Sequence, residues 1–342
     1  MTKNLGSSQT TSVMAHASCR ADLAGGTLDL WPLYLFHPGA VTVNFALSIH
    51  TSCRIEPRPG RAIHLRSLDT GREDRFANLP ELCRAPGGRH AIGMHLVRHF
   101  APQEGFLLET DSQSPAGAGI SGSSALMIAT VAALARFTGR KLAREEMRVI
   151  AQNVEAQIIR IPTGCQDYYP ALYGGVSAIH LGVEGIRREA LPVAPAEINQ
   201  RFLLVYTGAP RESGINNWEV FKRHMNGDKL VVRNFDLISA IASAMRAALL
   251  KSDWDDVARL LREEWKLRRR NHPGISTPLI ERLISIARRN GGVAAKVCGA
   301  GGGGCLILMT DAESKPRLAE SLAAAGGRVL PFEVAKRGVS AH

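Results

Sequence analysis

This chain has no long apolar run. Nowhere do its 342 residues hold the ~20 consecutive apolar positions that span a bilayer, so a membrane partner is not expected. Cysteine is sparse and scattered, at positions 19, 53, 83, 165, 298 and 305, without a CxxC pair. That spacing disfavours a zinc site. At this chain length it also disfavours a disulfide framework and fits a reduced, cytoplasmic setting. Aromatics make up only 6% of residues, and the basic residues form few blocks. The net charge of +11 therefore calls for an anionic partner, but a phosphorylated small molecule suits it better than nucleic acid. There is no internal repeat, and the oligomeric state is open, a homodimer included. The first 18 residues are polar and Ser/Thr-rich and lack an apolar signal core. We read 1–18 as a flexible extension, 19–195 as an N-terminal domain and 196–342 as a C-terminal one.

What the chain does have is glycine, gathered into loops. Pro115-Ala-Gly-Ala-Gly-Ile-Ser-Gly-Ser-Ser-Ala125 holds Gly117, Gly119 and Gly122 with Ser121, Ser123 and Ser124, and an apolar run, Leu126–Leu134, follows directly. This predicts a glycine-rich turn feeding a buried helix. The first N–H groups of a helix lack intrahelical partners and carry partial positive charge, and glycine lets the backbone close around a ligand. Together they form a seat for an anion, most often a phosphate. The spacing matches neither the P-loop nor the dinucleotide fingerprint, and a serine-rich helix cap beside a flexible turn is the plain alternative.

Two carboxylates follow. Glu155 flanks the apolar face of a helix predicted over 141–160. It is either an ordinary flanking residue or a partly buried ligand for a divalent cation, since magnesium favours one or two carboxylates plus substrate phosphates. Asp167 lies in the turn Pro162-Thr-Gly-Cys-Gln-Asp-Tyr-Tyr, either as a cap for the next segment or as a base for a substrate hydroxyl. Further on, Arg268-Arg-Arg270 ends a helix and is read first as a solvated helix end, with a substrate phosphate as the sharper option. Five glycines lie within Gly299–Gly304 between two predicted strands. A hairpin needs far fewer, so this loop should approach something closely, a nucleotide or the transferred group being the natural candidate.

The order and spacing of these stretches resemble the GHMP kinases across nearly the whole chain, from Arg20 to about Val334. Gly-Ala-Gly-Ile-Ser-Gly-Ser-Ser-Ala is similar to that family's ATP-phosphate loop, and Lys-Val-Cys-Gly-Ala-Gly-Gly-Gly-Gly to its third motif. Within the family the sugar kinases are nearest, above all the heptose-7-phosphate kinase and fucokinase-like branch. Arg20-Ala-Asp-Leu-Ala-Gly-Gly-Thr-Leu-Asp29 resembles their first motif. Gly164-Cys-Gln-Asp-Tyr-Tyr with Tyr173-Gly-Gly resembles their catalytic segment. Trp265-Lys-Leu-Arg, Gly274-Ile-Ser-Thr-Pro and Gly291-Gly-Val-Ala-Ala-Lys follow in their order. Ile120-Ser121 stands where Leu-Gly is usual, and Thr27-Leu-Asp29 where Gly-Thr-Asp is.

The resemblance implies an α+β, two-domain fold, with a ribosomal-S5-like N-terminal and a ferredoxin-like C-terminal domain. The activity it implies is transfer of the ATP γ-phosphate to a sugar or sugar-phosphate hydroxyl, the anomeric one first. Asp167 would be the catalytic carboxylate and Arg20 its cationic neighbour. Gly117, Gly119, Ser121, Gly122, Ser123 and Ser124 would seat ATP, and Ser124 and Glu155 would hold Mg²⁺. Asp29, Gly26, Thr27, Tyr173, Gly299, Gly301 and Gly302 would line the substrate site. A kinase of mevalonate or homoserine, a silent ligand sensor on the same fold and a salt-dependent nucleic-acid binder are the competing readings.

Overall fold

In the computed structural model, residues 12–88, 90–210 and 215–342 are described. Two long antiparallel strands, β1 (Val13–Ala24) and β2 (Val41–Arg58), form the spine of the first layer. Val13, Ala15 and Ala17 are buried on one face of β1, and from Ala17 onward both faces are covered. β2 runs as one strand over 18 residues. β3 (Ile63–Ser67) and β4 (Arg72–Phe76) form a hairpin. They are followed by α1 (Leu79–Arg84), α2 (Ala91–Phe100) and β5 (Gly105–Ser112). Next come α3 (Gly122–Phe137), α4 (Arg144–Ile159), α5 (Tyr168–Tyr173), β6 (Val176–Gly182) and β7 (Gly185–Leu191).

The second layer begins with α6 (Pro195–Arg201) and β8 (Phe202–Tyr206) and continues through α7 (Ile215–Met225), α8 (Lys229–Leu250), α9 (Trp254–Arg268) and α10 (Pro278–Arg289). β9 (Gly292–Val297), β10 (Cys305–Thr310), α11 (Lys315–Ala324) and β11 (Arg328–Leu330) complete it, and the last strand, β12 (Ser340–Ala341), lies in the first sheet. The first sheet runs β12-β1-β2-β5-β3-β4, with β6 also on β2 and carrying β7. The second sheet, β11-β8-β10-β9, is antiparallel throughout.

Two expected boundaries need correcting. Val13–Ser18 belong to β1, so the extension read over 1–18 cannot reach that far, and residues 1–11 lie outside the described residues. The other is the C-terminal domain read over 196–342: its last strand, β11, stops at Leu330. Val334 makes an isolated bridge to Leu47, and β12 pairs with β1 at Ala15↔Ala341. The end of the chain thus returns to the first sheet and does not close a separate 196–342 unit. Ala15 lies between Ala341 on β12 and Cys53 on β2 and is fully buried there.

α3 is apolar nearly all round and sits against β1 and β2, with Ala125 and every position from Met127 to Ala135 buried. A helix covered on all sides belongs to the middle of a core, and each large aliphatic side chain there contributes about 1.5–3 kcal/mol of burial. In α8, Phe235, Ile238, Ile241, Met245 and Leu249 form the buried face that their spacing predicts. Asp253 caps α9, its Oδ1 accepting the Asp256 N–H at 3.0 Å. Thr277 caps α10 with Pro278 at its first position. No helix among the described residues is long and apolar enough to cross a membrane.

Candidate active site

β1 brings two charged side chains to one end of the first sheet. Arg20 and Asp22 lie two residues apart and so share a face of the strand. The β1–β2 ladder shifts register between Ser18 and Arg20, and the Arg20 N–H turns instead to the Ile120 carbonyl at 2.9 Å. Such irregularities re-aim side chains beside functional sites. The Arg20 guanidinium, 2% exposed, reaches Asp167 Oδ1 from Nε at 2.8 Å and from Nη2 at 2.7 Å. Its Nη1 donates to the Gly119 carbonyl at 2.9 Å and lies 3.4 Å from Asp22 Oδ1. Asp167 stands at the N-terminal end of α5, but its side chain makes no capping bond there, which removes the capping alternative. Its side chain is 28% exposed and lines a cleft of about 420 Å³.

The glycine-rich loop forms one wall of that cleft. Gly117, Gly119 and Ser121 all take left-handed backbone angles, with φ of +66°, +74° and +62°. Serine at 121 therefore adopts the conformation that a glycine would take there without strain. Its Oγ is buried without a hydrogen-bond partner. α3 starts at the next residue, so its unpaired first N–H groups open where the loop ends. Ser121, Gly122, Ser123 and Ser124 all line the cleft, as do Gly117 and Gly119.

α4 contributes Glu155 to the same wall. Its carboxylate accepts from Ser123 Oγ at 3.0 Å, from Ser124 Oγ at 3.1 Å and from Thr163 Oγ1 at 3.4 Å, and it takes a short bond from Tyr168. Burial raises the pKa of this carboxyl, while the hydroxyl donors work in the opposite direction. Hard oxygen donors around a carboxyl that is reluctant to ionise unaided fit a small divalent cation, whose charge would favour the ionised form. No group of three His, Cys, Asp or Glu side chains among the described residues could hold a metal without other ligands. Any cation here would need oxygens from a bound phosphate.

The opposite end of the cleft is polar. Asp29, buried, accepts the Gln166 N–H at 2.9 Å and its Nε2–H at 3.2 Å. Burial first, then the neighbouring Asp167 charge, pushes its carboxyl up to about 6. Gly164 is required here, because an added Cβ would fall 2.0 Å from Asp29 Oδ2. Thr27 has φ +77°, rare for a β-branched residue. Its hydroxyl donates to Asn217 Oδ1 at 2.9 Å and accepts from Arg268 Nη2 at 3.2 Å. Arg268 is buried, lines the cleft and donates to the Gly299 carbonyl at 2.7 Å. The solvated-end reading of the basic triplet therefore fails for its first member. It holds for Arg269, which pairs with Glu281 on the surface, and for exposed Arg270.

Four predicted substrate residues do not line the cleft. Tyr173 stacks on Tyr169, with the Arg144 and Arg188 guanidinium groups 4.7 and 4.6 Å from its ring centroid. Gly26 is pressed against Arg268, where an added Cβ would lie 2.3 Å from Nη1. Gly301 and Gly302 back onto the segment after α9: the Gly302 N–H bonds to Ile275 O at 2.9 Å, and a Cβ on Gly301 would meet the same oxygen at 2.5 Å. Gly304 leans on the first loop, 2.7 Å from Ala118 O by the same test. The third loop does approach something closely, as expected, but much of it is protein backbone. Gly299 alone of the three predicted glycines reaches the cleft.

Sequence reasoning passed over Asp22, Asn217, Glu264 and Lys296. For Glu264 a signal existed. With Arg268 it falls on the stripe of Val257, Leu260, Leu261 and Trp265 that α9 buries, and charges on an apolar stripe are rarely left unpaired.

An anion-binding loop at the start of a buried helix, facing an arginine-held carboxylate across a polar cleft, defines a phosphotransferase. The chain belongs to the GHMP kinase family: the GHMP kinases N terminal domain matches residues 89–175 and the GHMP kinases C terminal domain residues 245–328. It is similar to D-glycero-alpha-D-manno-heptose 7-phosphate kinase of Campylobacter jejuni, 27% identical over 333 residues that cover 94% of this chain and 96% of the relative. It is also similar to mevalonate kinase of Thermococcus gammatolerans, 29% identical over 260 residues and 73% of each chain. Lactococcus lactis galactokinase, solved in complex with galactose, shares the fold with a TM-score of 0.82 at 16% identity, over 97% of this chain and 95% of that one.

Proposed function

We propose that this protein is an ATP-dependent sugar kinase, transferring the γ-phosphate to a hydroxyl of a sugar or sugar phosphate. The observation that carries this reading is the pairing of Asp167 with Arg20 between the glycine-rich loop and the polar end that holds Asp29, Gln166 and Asn217. Phosphoryl transfer asks chiefly for positioning and charge neutralisation. The amides at the start of α3 seat the triphosphate. Asp167 accepts the proton of the attacking hydroxyl, and Arg20 keeps Asp167 ionised and oriented. Asp29 and Asn217 accept and donate to the remaining hydroxyls of the acceptor. Ser124 Oγ and the Glu155 carboxylate are the residues that would hold Mg²⁺, which when bound neutralises charge on the β- and γ-phosphates.

A dense set of acceptors and donors suits a polyhydroxylated substrate better than mevalonate, whose single carboxylate would face Asp29 and Asp167. The likeness to the heptose phosphate kinase, which spans nearly the whole of both chains, supports the same choice. The test is ATP turnover against a panel of sugars, sugar phosphates, mevalonate and homoserine. ³¹P NMR of the product would show whether the new phosphate sits on the anomeric oxygen. Transfer to a sugar is expected. Transfer to mevalonate or homoserine alone would overturn the reading, and absence of turnover across the panel would point to a ligand sensor.

A further inference from the structure

Behind the cleft a lysine is sealed inside the protein. Lys296, on β9, is 0% exposed; its Nζ lies 2.6 Å from Asp22 Oδ2 and 3.2 Å from Glu264 Oε1. It does not line the cleft. Asp22 stands on β1 and Glu264 on α9, so one ammonium ties both layers together. Asp22 presents its other oxygen, Oδ1, to Arg20 at 3.4 Å and to the Gly299 N–H at 3.1 Å. Glu264 Oε1 is shared with Arg268 at 3.5 Å, while Oε2 is buried without a partner. The chain of charges therefore ends on the cleft at both sides, at Arg20 with Asp167 and at Arg268 with Thr27 and Gly299.

A buried network of this kind is a poor device for stability. Desolvation consumes most of the Coulomb gain, and apolar residues of similar volume usually do as well. What it provides is fixed geometry, because each ionised group can satisfy its neighbours in one arrangement only. Arg20 meets a carboxylate on each side, and which way its fork faces depends on Asp22 being held in place. Lys296 is the largest favourable charge acting on Asp22, ahead of Arg20 and Arg268.

We infer that Lys296 is a positioning residue for phosphoryl transfer: through Asp22 it aims Arg20 at Asp167, and through Glu264 it holds Arg268 at the acceptor end of the same cleft. The inference rests on the sugar-kinase reading. It predicts that loss of the ammonium damages the transfer step and acceptor binding while leaving the nucleotide seat, built from the first glycine loop and α3, intact.

The test uses the full chain with Lys296→Met and with the double variant Lys296→Met/Glu264→Gln. The single variant strands two buried carboxylates and is expected to lower Tm by several degrees. The double variant removes one charge of each sign and is expected to recover most of that loss. In the double variant kcat should stay at least ~30-fold below wild type and the acceptor KM should rise, while the Kd of a non-hydrolysable ATP analogue stays within ~3-fold. A purely structural role would restore kcat together with Tm. A double variant with recovered Tm and kcat within ~3-fold of wild type overturns the inference, as does a parallel loss of analogue affinity. Wild-type protein that binds the analogue but phosphorylates no sugar would instead remove the functional reading, and this inference with it.

Discussion

Both nitrogens that Arg20 offers to Asp167 fall on one carboxylate oxygen, Oδ1, from Nε at 2.8 Å and from Nη2 at 2.7 Å. Neither contact involves Oδ2, so the arginine can hold the carboxylate without consuming the oxygen a hydroxyl would need. Asp167→Asn keeps an oxygen for Arg20 but removes the base. Turnover should fall by roughly 10²–10⁴-fold, the usual share of a general base, while ATP-analogue affinity stays within a few-fold. Steady-state kinetics beside calorimetric titration of the analogue checks both, and unimpaired turnover would remove Asp167 from the reaction.

Asp29 gives the site a pH dependence. Its carboxyl is raised from 3.8 to about 6, by burial first and by the Asp167 charge second. A raised acid binds its proton more tightly in the folded state. The folded state is therefore favoured below pH 3.8, the advantage is lost as pH rises, and the full cost, about 3 kcal/mol, is present above pH 6. Substrate hydroxyls need the ionised form, so acceptor KM should fall as pH rises through 6 while ATP KM changes little. Asp29→Asn should flatten both the KM profile and the fall of Tm between about pH 4 and 6. An unchanged profile in that variant would assign the titration to another group.

Thr27 separates backbone strain from side-chain contact. Its φ of +77° suits glycine, yet its hydroxyl bridges Asn217 and Arg268. Thr27→Ala and Thr27→Gly both lose the bridge, but only alanine keeps the strain, worth about 1–3 kcal/mol. Glycine's extra freedom when unfolded offsets part of that difference. The glycine variant should therefore be about 1 kcal/mol more stable than the alanine variant in urea unfolding, with acceptor KM raised in both. Equal stabilities would show that the turn relaxes around alanine.

What could be read from the sequence followed the range of the interactions. Gly117 to Ser124 and the buried α3 are local features, fixed by residues a few positions apart, and they stand where the pattern placed them; for the cap of α9 the pattern left Ser252 and Asp253 open, and it is Asp253. Asp167 and Glu155 were legible because an isolated carboxylate in a Gly/Pro turn, or beside an apolar stripe, needs an explanation. Lys296 was not. Its partner Asp22 lies 274 residues away, and nothing in Val293-Ala-Ala-Lys-Val297 distinguishes a buried lysine from one at a strand edge. The third glycine loop was legible only in part, for a related reason. Composition shows that a backbone must come close to something, but not whether that neighbour is a ligand or another loop.

That neighbour can be tested at Gly304. Its φ is +77°, and a Cβ there would lie 2.7 Å from the Ala118 carbonyl, the same oxygen that accepts the Cys305 N–H at 2.7 Å. An alanine must therefore push the third loop away from the first, between Gly117 and Gly119, where the triphosphate would sit. Gly326 is the control, with φ +94° and open space around its Cβ position. Gly326→Ala carries the backbone strain alone and should cost about 1 kcal/mol of stability with ATP-analogue affinity unchanged. Gly304→Ala adds the collision. It should cost about 2 kcal/mol or more and weaken the analogue at least ~10-fold, read by urea unfolding and calorimetric titration. If both variants lose stability equally and both bind the analogue normally, the contact between the loops has no part in shaping the nucleotide seat.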